Sequence, residues 1–512
     1  MIIRGTELEA PAEYRADVIV VGSGAGGAVV ARELAEQGLD VLVLEEGPYV
    51  SPDVYGKWRP MQTFRRMARA GGSTVAVGLG KNPTVNVLAG ACVGGSSTLT
   101  GGVCFRVPEA VHEEWVEILD TDTISARSME AVYARVEDMI HVEEVPVEMQ
   151  SRGTVLFGQG AKKLGYDLKP LRRNTKGCCG CSRCNFGCPN KAKLSVDLTY
   201  LPRAMELGAR IAADHRVDRL IVKDGRVLGV EGRTLSDPDR KPSHRFRALA
   251  DTVVLAAGAL HTPHLLLRSR VGNRSRQVGR NLTLHPSFRT VAIFDEDVRG
   301  WRGALQSAYS DHFESQRITL VSAYAPPSVL AAGLPNFGPE YMERARNAVH
   351  FASFGFLVHD EPGGRVRRGL GREPVVTYDL ASKDRAAIIE GFRIMGRTFL
   401  AAGAREVLLP IFGSNPVRNE ADVLRTVHDK LDMRRIESLS FHPLGTCRMG
   451  RDGEHSVCDA FGHVHDVAGL WLADGSVVPT SLGVNSQLPI MAMATRIAFE
   501  LLERRRRNVS AA

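Results

Sequence analysis

The sequence predicts an α/β protein. A Rossmann-like dinucleotide-binding domain is interleaved with a smaller α+β substrate domain built on an antiparallel sheet. Three observations carry this. The stretch from Asp17 to Glu46, DVIVVGSGAGGAVVARELAEQGLDVLVLEE, reads as strand, glycine turn, helix and second strand. A later apolar run, Thr252 to Ala256, enters Ala257-Gly258-Ala259, and glycine-rich, nucleotide-like texture returns after Glu437. Between them, from Pro286 to about Arg434, the chain alternates in short segments that suit antiparallel strands.

Val18 to Val21 is apolar and β-branched, as a buried parallel strand requires. Gly22, Gly24 and Gly27 then form G-x-G-x-x-G. Gly22 permits the tight turn, Gly24 lets backbone approach a pyrophosphate, and Gly27 allows helix to pack on strand. The helix from Ala28 to Gln37, ended by Gly38, offers free N–H groups to that pyrophosphate. Glu45 closes the strand Val41 to Leu44, where an acid accepts hydrogen bonds from a ribose.

Residues 51–90 show weak periodicity and read as an excursion over the nucleotide. Gly94, Gly95, Ser96 and Ser97, followed by Gly101 and Gly102, bury little side chain and bring backbone close to something flat or phosphorylated. Helices are expected over Ala110–Met139, Gly153–Leu164, Thr199–Leu207, Ala259–Leu267, Arg385–Ala402, Asn419–Leu431 and from near Ile490 onward. Arg210–Asp224, Val227–Arg233, Arg289–Phe294, Arg317–Tyr324 and His350–Val358 read as strands. The expected division is a dinucleotide-binding domain from residues 1–109, 191–285 and 435–512, substrate-side helices with a cysteine-rich loop over 110–190, and a substrate domain over 286–434.

The chain has 512 residues, 44% of them hydrophobic, and a net charge of +7, mild for its size. Nothing points to nucleic acid. No apolar run is long enough to span a membrane, and the first residues lack a signal core, so the expected location is cytoplasmic, with membrane association or export on a signal-bearing partner left open. The run Arg504–Arg507 reads as the solvated end of the last helix.

Nine cysteines are present, five of them between positions 178 and 188. Cys178-x2-Cys181-x2-Cys184-x3-Cys188-Pro189 has the spacing of bacterial ferredoxins, with Cys179 an alternative first ligand. An iron–sulfur cluster, three-iron or four-iron, is expected. Free or disulfide-bonded cysteines shaping a loop, and zinc, are the alternatives. Lys176, Arg183, Lys191 and Lys193 surround the segment.

Taken together the motifs resemble the glucose–methanol–choline oxidoreductases. The likeness rests on GSGAGG with LEEG, GGSSTLTGG at Gly94 to Gly102, GALHTPHLLLRS at Gly258 to Ser269, VGRNLTLHP at Val278 to Pro286, and SFHPLGTCRMG at Ser440 to Gly450 with LADGSVVPTSLGVNSQLPIMAMA at Leu472 to Ala494. The resemblance implies FAD, held non-covalently because Thr98-Leu99 stands where covalent members place histidine. It implies that Gly22, Gly24 and Gly27 hold the pyrophosphate, Glu45 the ribose, and Gly94 to Ser97 the isoalloxazine and ribityl chain, with Asp474 and Gly475 on the flavin side. Thr100 replaces the family's usual asparagine. His442 is implied as the base that takes the alcohol proton while hydride leaves for flavin, and Asn485 as its partner on the substrate oxygen. His285 reads as structural. A sugar-oxidising subgroup with a similar cysteine run carries a three-iron cluster that feeds a cytochrome-bearing partner; on that likeness the chain reads as an alcohol dehydrogenase passing electrons to a carrier protein. An oxidase using oxygen, and a lyase, are the alternatives.

Overall fold

The computed structural model describes residues 1–237, 239–369 and 371–510. Its nucleotide half is a six-stranded parallel sheet in the spatial order Ile2–Arg4, Arg210–Ala213, Val41–Leu44, Val18–Val21, Thr252–Leu255, Leu470–Leu472. Val18–Val21 and Val41–Leu44 are buried on both faces, which is why their sequence is continuous rather than alternating. Helix Ala25–Glu36 packs between them and the C-terminal helix Gln487–Ser510.

Arg210–Asp224, expected as one strand, is two. The chain breaks at Asp214, in the left-handed region at φ 62°, and His215–Lys223 leaves the parallel sheet for a separate four-stranded one with Arg226–Leu235, Pro242–Leu249 and Ala12–Arg15. Periodicity cannot register that change of sheet, because residues on both sides of Asp214 are strand-like.

The expected antiparallel strands form the centre of an eleven-stranded mixed sheet. Ser287–Ile293 pairs with Phe351–Val358, which pairs with Ile318–Ser322. The sheet also recruits Thr74–Gly78 and Val85–Val87 from the segment read as irregular, and Ser438–Ser440 from the C-terminal part. Those short strands carry little local pattern and are fixed by their partners. One face, with Phe288, Phe354 and Phe356, packs on helices Arg152–Lys163 and Ser382–Ala401. The other face meets the nucleotide half through Val321 and Leu357 against Val103.

Ala110–Met139 is likewise two helices, Glu109–Leu119 and Ala126–Met139. Asp120 turns left-handed at φ 54°, and the Ser125 hydroxyl accepts the Ser128 N–H to cap the second helix. The arginine run at the C-terminus is pinned at its first two residues and exposed, as expected of a solvated helix end, at Arg506 and Arg507. Arg504 bonds Asp459 and Glu500, and Arg505 bonds Asp17, just before the strand Val18–Val21. No described helix is long and apolar enough to cross a membrane.

Candidate active site

A long cleft runs along the ends of the parallel strands, with about 1530 Å³ of free space counted to its open mouth. Gly22, Gly24, Glu45, Gly95, Ser96, Ser97, Asp474, Gly475, His442 and Asn485 all line it. Of the residues expected at the cofactor, Gly27 and Gly94 stand behind the wall. A Cβ on Gly27 would meet the Gly22 carbonyl at 2.0 Å, so that glycine serves close packing of helix on turn. Gly94 is left-handed at φ 94°, and its N–H donates to Ser23 Oγ at 3.1 Å.

The cradle is made by two glycine loops in contact. A Cβ on Gly95 would come within 2.7 Å of Gly24 Cα, while one on Gly24 would meet nothing nearer than 3.9 Å. Gly24 therefore faces open space. It caps helix Ala25–Glu36 in extended conformation with no side-chain cap, which leaves the first-turn N–H groups for an anion.

Glu45 is buried. Its carboxylate accepts from Ser23 N at 3.0 Å, Ser23 Oγ at 2.7 Å and Gly47 N at 2.7 Å. Burial raises its pKa against these bonds. The neighbouring Glu46 forms ion pairs with Arg69 at 2.8 Å and with Arg372 at 2.7 Å. Burial pushes Glu46 up, but Arg69, Arg372 and His261 outweigh it and hold the carboxyl at about 2. Arg372 comes from the far half of the sequence, so no local pattern could place it at this rim.

Asp474 is used up in holding the backbone. Its oxygens accept from Ser476 N at 2.7 Å, Gly258 N at 2.8 Å and Thr262 Oγ1 at 2.5 Å. It thus fastens the helix Gly258–Ser269 to the turn Gly475–Val477 at the cleft wall.

At the other end of the cleft stand His442 and Asn485. They are 43 positions apart in the chain, with Asn485 Nδ2 at 3.1 Å from His442 Nε2. His442 is 8% exposed, and burial together with the adjacent His285 lowers its pKa to about 3. The imidazole is neutral and carries a lone pair. His442 Nδ1, Asn485 Oδ1 and Gln487 Nε2, all on residues lining the cleft, are buried without hydrogen-bond partners. Thr100 Oγ1 donates to Gln487 Oε1 at 2.9 Å and so orients that amide. Orphaned polar atoms along one wall, opposite a glycine cradle, fit a large polar cofactor.

The cysteine-rich segment is separate from this cleft. Cys178, Cys179, Cys181, Cys184 and Cys188 line one small pocket with about 290 Å³ of free space, and every cysteine of the protein is a free thiol. The expected metal centre does not fit their placement. Among the described residues no group of three or more His, Cys, Asp or Glu is arranged to hold a metal ion. Neighbouring side chains and backbone engage the thiols instead, and Asn190 Nδ2 reaches both Cys179 and Cys181. Cys184 accepts from Arg173 Nη2 at 3.0 Å, Cys179 from Asn190 Nδ2 at 2.8 Å, and Cys188 from Lys193 N at 3.5 Å. Burial raises Cys178, and Cys181 to about 11, so both are protonated thiols at neutral pH when nothing is bound.

Lys193, one of the basic residues around the cysteine segment, and Arg173, which sequence reading did not single out, lie in the interior here. Lys193 is 1% exposed, and its ammonium donates to the carbonyls of Ser97, Thr98, Thr100 and Cys184 at 2.8–3.1 Å. Burial lowers it to about 8. Arg173, fully buried, donates to the Gly101 carbonyl. Together they fasten the cysteine segment to the glycine–serine turn at the cleft. A lysine among cysteines carries no sign of this in sequence.

Parallel sheet, glycine cradle and cleft define the class, a dinucleotide-binding protein. Family models place it further. The N-terminal model, described as GMC oxidoreductase, matches residues 16–287, and the C-terminal model of the same description matches residues 367–494. The chain belongs to the glucose–methanol–choline (GMC) oxidoreductase family. It is 40% identical over 496 residues to an uncharacterized GMC-type oxidoreductase of Mycobacterium tuberculosis, covering 96% of this chain and 76% of that one. It is 29% identical over 518 residues to a long-chain-alcohol oxidase of Arabidopsis thaliana, covering 96% and 67%. Among solved structures, pyridoxine 4-oxidase from Mesorbium loti shares the fold with a TM-score of 0.72 at 19% identity, covering 94% and 98%.

Proposed function

We propose that the protein oxidises an alcohol, with His442 as the base and Asn485 as its partner on the substrate oxygen. The observation that carries this is the 3.1 Å His442–Asn485 contact, in the same cleft as the glycine cradle. FAD, when bound, supplies the hydride acceptor. Gly22, Gly24 and the N-terminus of Ala25–Glu36 would hold its pyrophosphate, Glu45 its ribose, and Gly95 to Ser97, Asp474 and Gly475 its flavin end.

The alcohol hydroxyl reaches the pair from the cleft and replaces the direct Asn485–His442 contact. Its oxygen accepts from the Asn485 amide, and its proton points at the His442 lone pair. Losing that proton to imidazole raises the electron density that expels hydride from the carbinol carbon. The amide binds the oxygen without competing for the proton. Burial of His442 keeps the base neutral before substrate arrives and excludes water from the proton's destination.

Likeness to long-chain-alcohol oxidases supports oxygen as the final acceptor. A carrier protein as acceptor, which would make the enzyme a dehydrogenase, is the second reading, and the acceptor assay decides between the two. The test is an anaerobic screen of alcohols by flavin bleaching, with peroxide and artificial acceptors assayed on every alcohol that bleaches. His442→Ala is expected to abolish bleaching by an alcohol that reduces the wild type. Bleaching at the wild-type rate refutes the assignment.

A further inference from the structure

We propose that His285 is a positioning residue for the alcohol-oxidising pair, clamping the loop from Ser481 to Asn485 so that the Asn485 amide meets His442; this rests on the reading just given. His285 is fully buried and non-glycine, yet sits in the left-handed region at φ 46°. Such strain persists only where the surroundings impose it.

Its two ring nitrogens bridge two distant chain segments. Nε2 lies 2.8 Å from Leu482 N and 3.0 Å from Gly483 N. Two backbone N–H groups aimed at one nitrogen make that nitrogen the lone-pair side. The ring proton therefore sits on Nδ1, 3.3 Å from the His442 carbonyl. Protonation of Nε2 would set N–H against N–H, and burial lowers the pKa of this imidazole in the same direction. One neutral ring thus fixes the spacing between the backbone of His442 and the loop that ends at Asn485.

The clamp is itself held. Asp360 accepts from Leu284 N, His285 N, Tyr378 Oη and Ser481 Oγ at 2.8, 3.1, 2.5 and 3.0 Å. The Ser481 hydroxyl, 3.0 Å from Nε2, has one proton, and the carboxylate is its better acceptor. Thr319 Oγ1, from the substrate sheet, donates to the Gly483 carbonyl at 3.0 Å. The His285 ring is 5.8 Å from the His442 ring with both nitrogens engaged, so it is not a second base. Its effect on the reaction runs through the placement of Asn485.

The test uses the flavin-loaded enzyme and a double-mutant cycle of His285→Gln with Asn485→Ala. Glutamine keeps an acceptor near the position of Nε2, whereas His285→Ala leaves both loop N–H groups unpaired. A misplacement of about 1 Å costs about 100-fold in rate, so His285→Ala is expected to lose about that much in anaerobic flavin reduction, and His285→Gln, whose amide lacks the fixed reach of the ring, to lose about 5- to 10-fold. In the Asn485→Ala background, His285→Gln should change the rate by less than about twofold, because the group it places is gone. Affinity for a carboxylic-acid analogue of the alcohol, read from the flavin absorbance, should follow the same pattern. Equal effects of His285→Gln in both backgrounds would overturn the positioning role, and the glutamine cycle decides the matter even if His285→Ala does not fold. An Asn485→Ala enzyme that reduces flavin at the wild-type rate would instead remove the underlying reading of the pair, and the positioning role with it.

Discussion

Replacing Lys193 by methionine separates a buried structural cation from a charged loop. Methionine matches the length of the lysine stem but has no donor. The change strips the carbonyls of Ser97, Thr98, Thr100 and Cys184 of an ammonium that now reaches each at 2.8–3.1 Å. A buried acceptor left unpaired costs about 1–3 kcal/mol, which sums to about 4–12 kcal/mol over the four. Against this stands the desolvation of the ammonium, several kcal/mol, which methionine avoids. The net expectation is a destabilisation of a few kcal/mol, because the three ammonium protons are shared among the four carbonyls and the groups left unpaired are neutral. Three of the carbonyls belong to the turn at Gly95–Leu99 and the residue after it, so the loss falls on the cleft wall. The assay is thermal unfolding with and without added FAD, together with the FAD dissociation constant. FAD affinity should weaken at least about tenfold, equivalent to about 1.4 kcal/mol. The control is Lys191→Met: its pair with Asp53 is exposed on both sides and should matter little. A Lys193→Met protein with wild-type melting and FAD affinity within twofold would refute the account of Lys193 as the tie between the two segments.

Acid should unfold the protein through its histidines. His442, His264 and His359 are held by burial at about 3, 4 and 4, below the 6.5 of a free imidazole. The unfolded chain binds protons that the folded one refuses, so this stability is complete above pH 6.5 and is lost as pH falls toward 4 and 3. Melting temperatures flat from pH 7 to pH 4 would contradict it. For the same reason kcat/KM should not fall away at pH 6.5, and an acid limb centred there would contradict the neutral, buried His442. The thiols, with no three arranged to hold a metal ion among the described residues, predict sub-stoichiometric iron, zinc and acid-labile sulfide in protein purified without oxygen; one equivalent of any cluster or metal would restore the metal centre.

The dinucleotide unit was readable from sequence because its constraints are local. Gly22, Gly24 and Gly27 act within one turn, and the β-branched runs beside them have no other place than a buried parallel strand. His442 and Asn485 were readable only through the motif resemblance, since no spacing rule joins positions 43 apart. The short strands Thr74–Gly78 and Val85–Val87 were not readable, because a segment so brief becomes a strand through its partner's hydrogen bonds rather than its own pattern.

The amino-acid order by itself settled the nucleotide cradle and the family, because both are written in residues close together or in fixed motifs. Tertiary structure alone decided that Lys193 and Arg173 turn inward, that Arg372 reaches Glu46, and that Cys179, Cys184 and Cys188 meet Asn190, Arg173 and Lys193. Each of those depends on which groups a distant segment brings near, and the free energy of a buried charge or thiol is set by those neighbours rather than by its place in the chain.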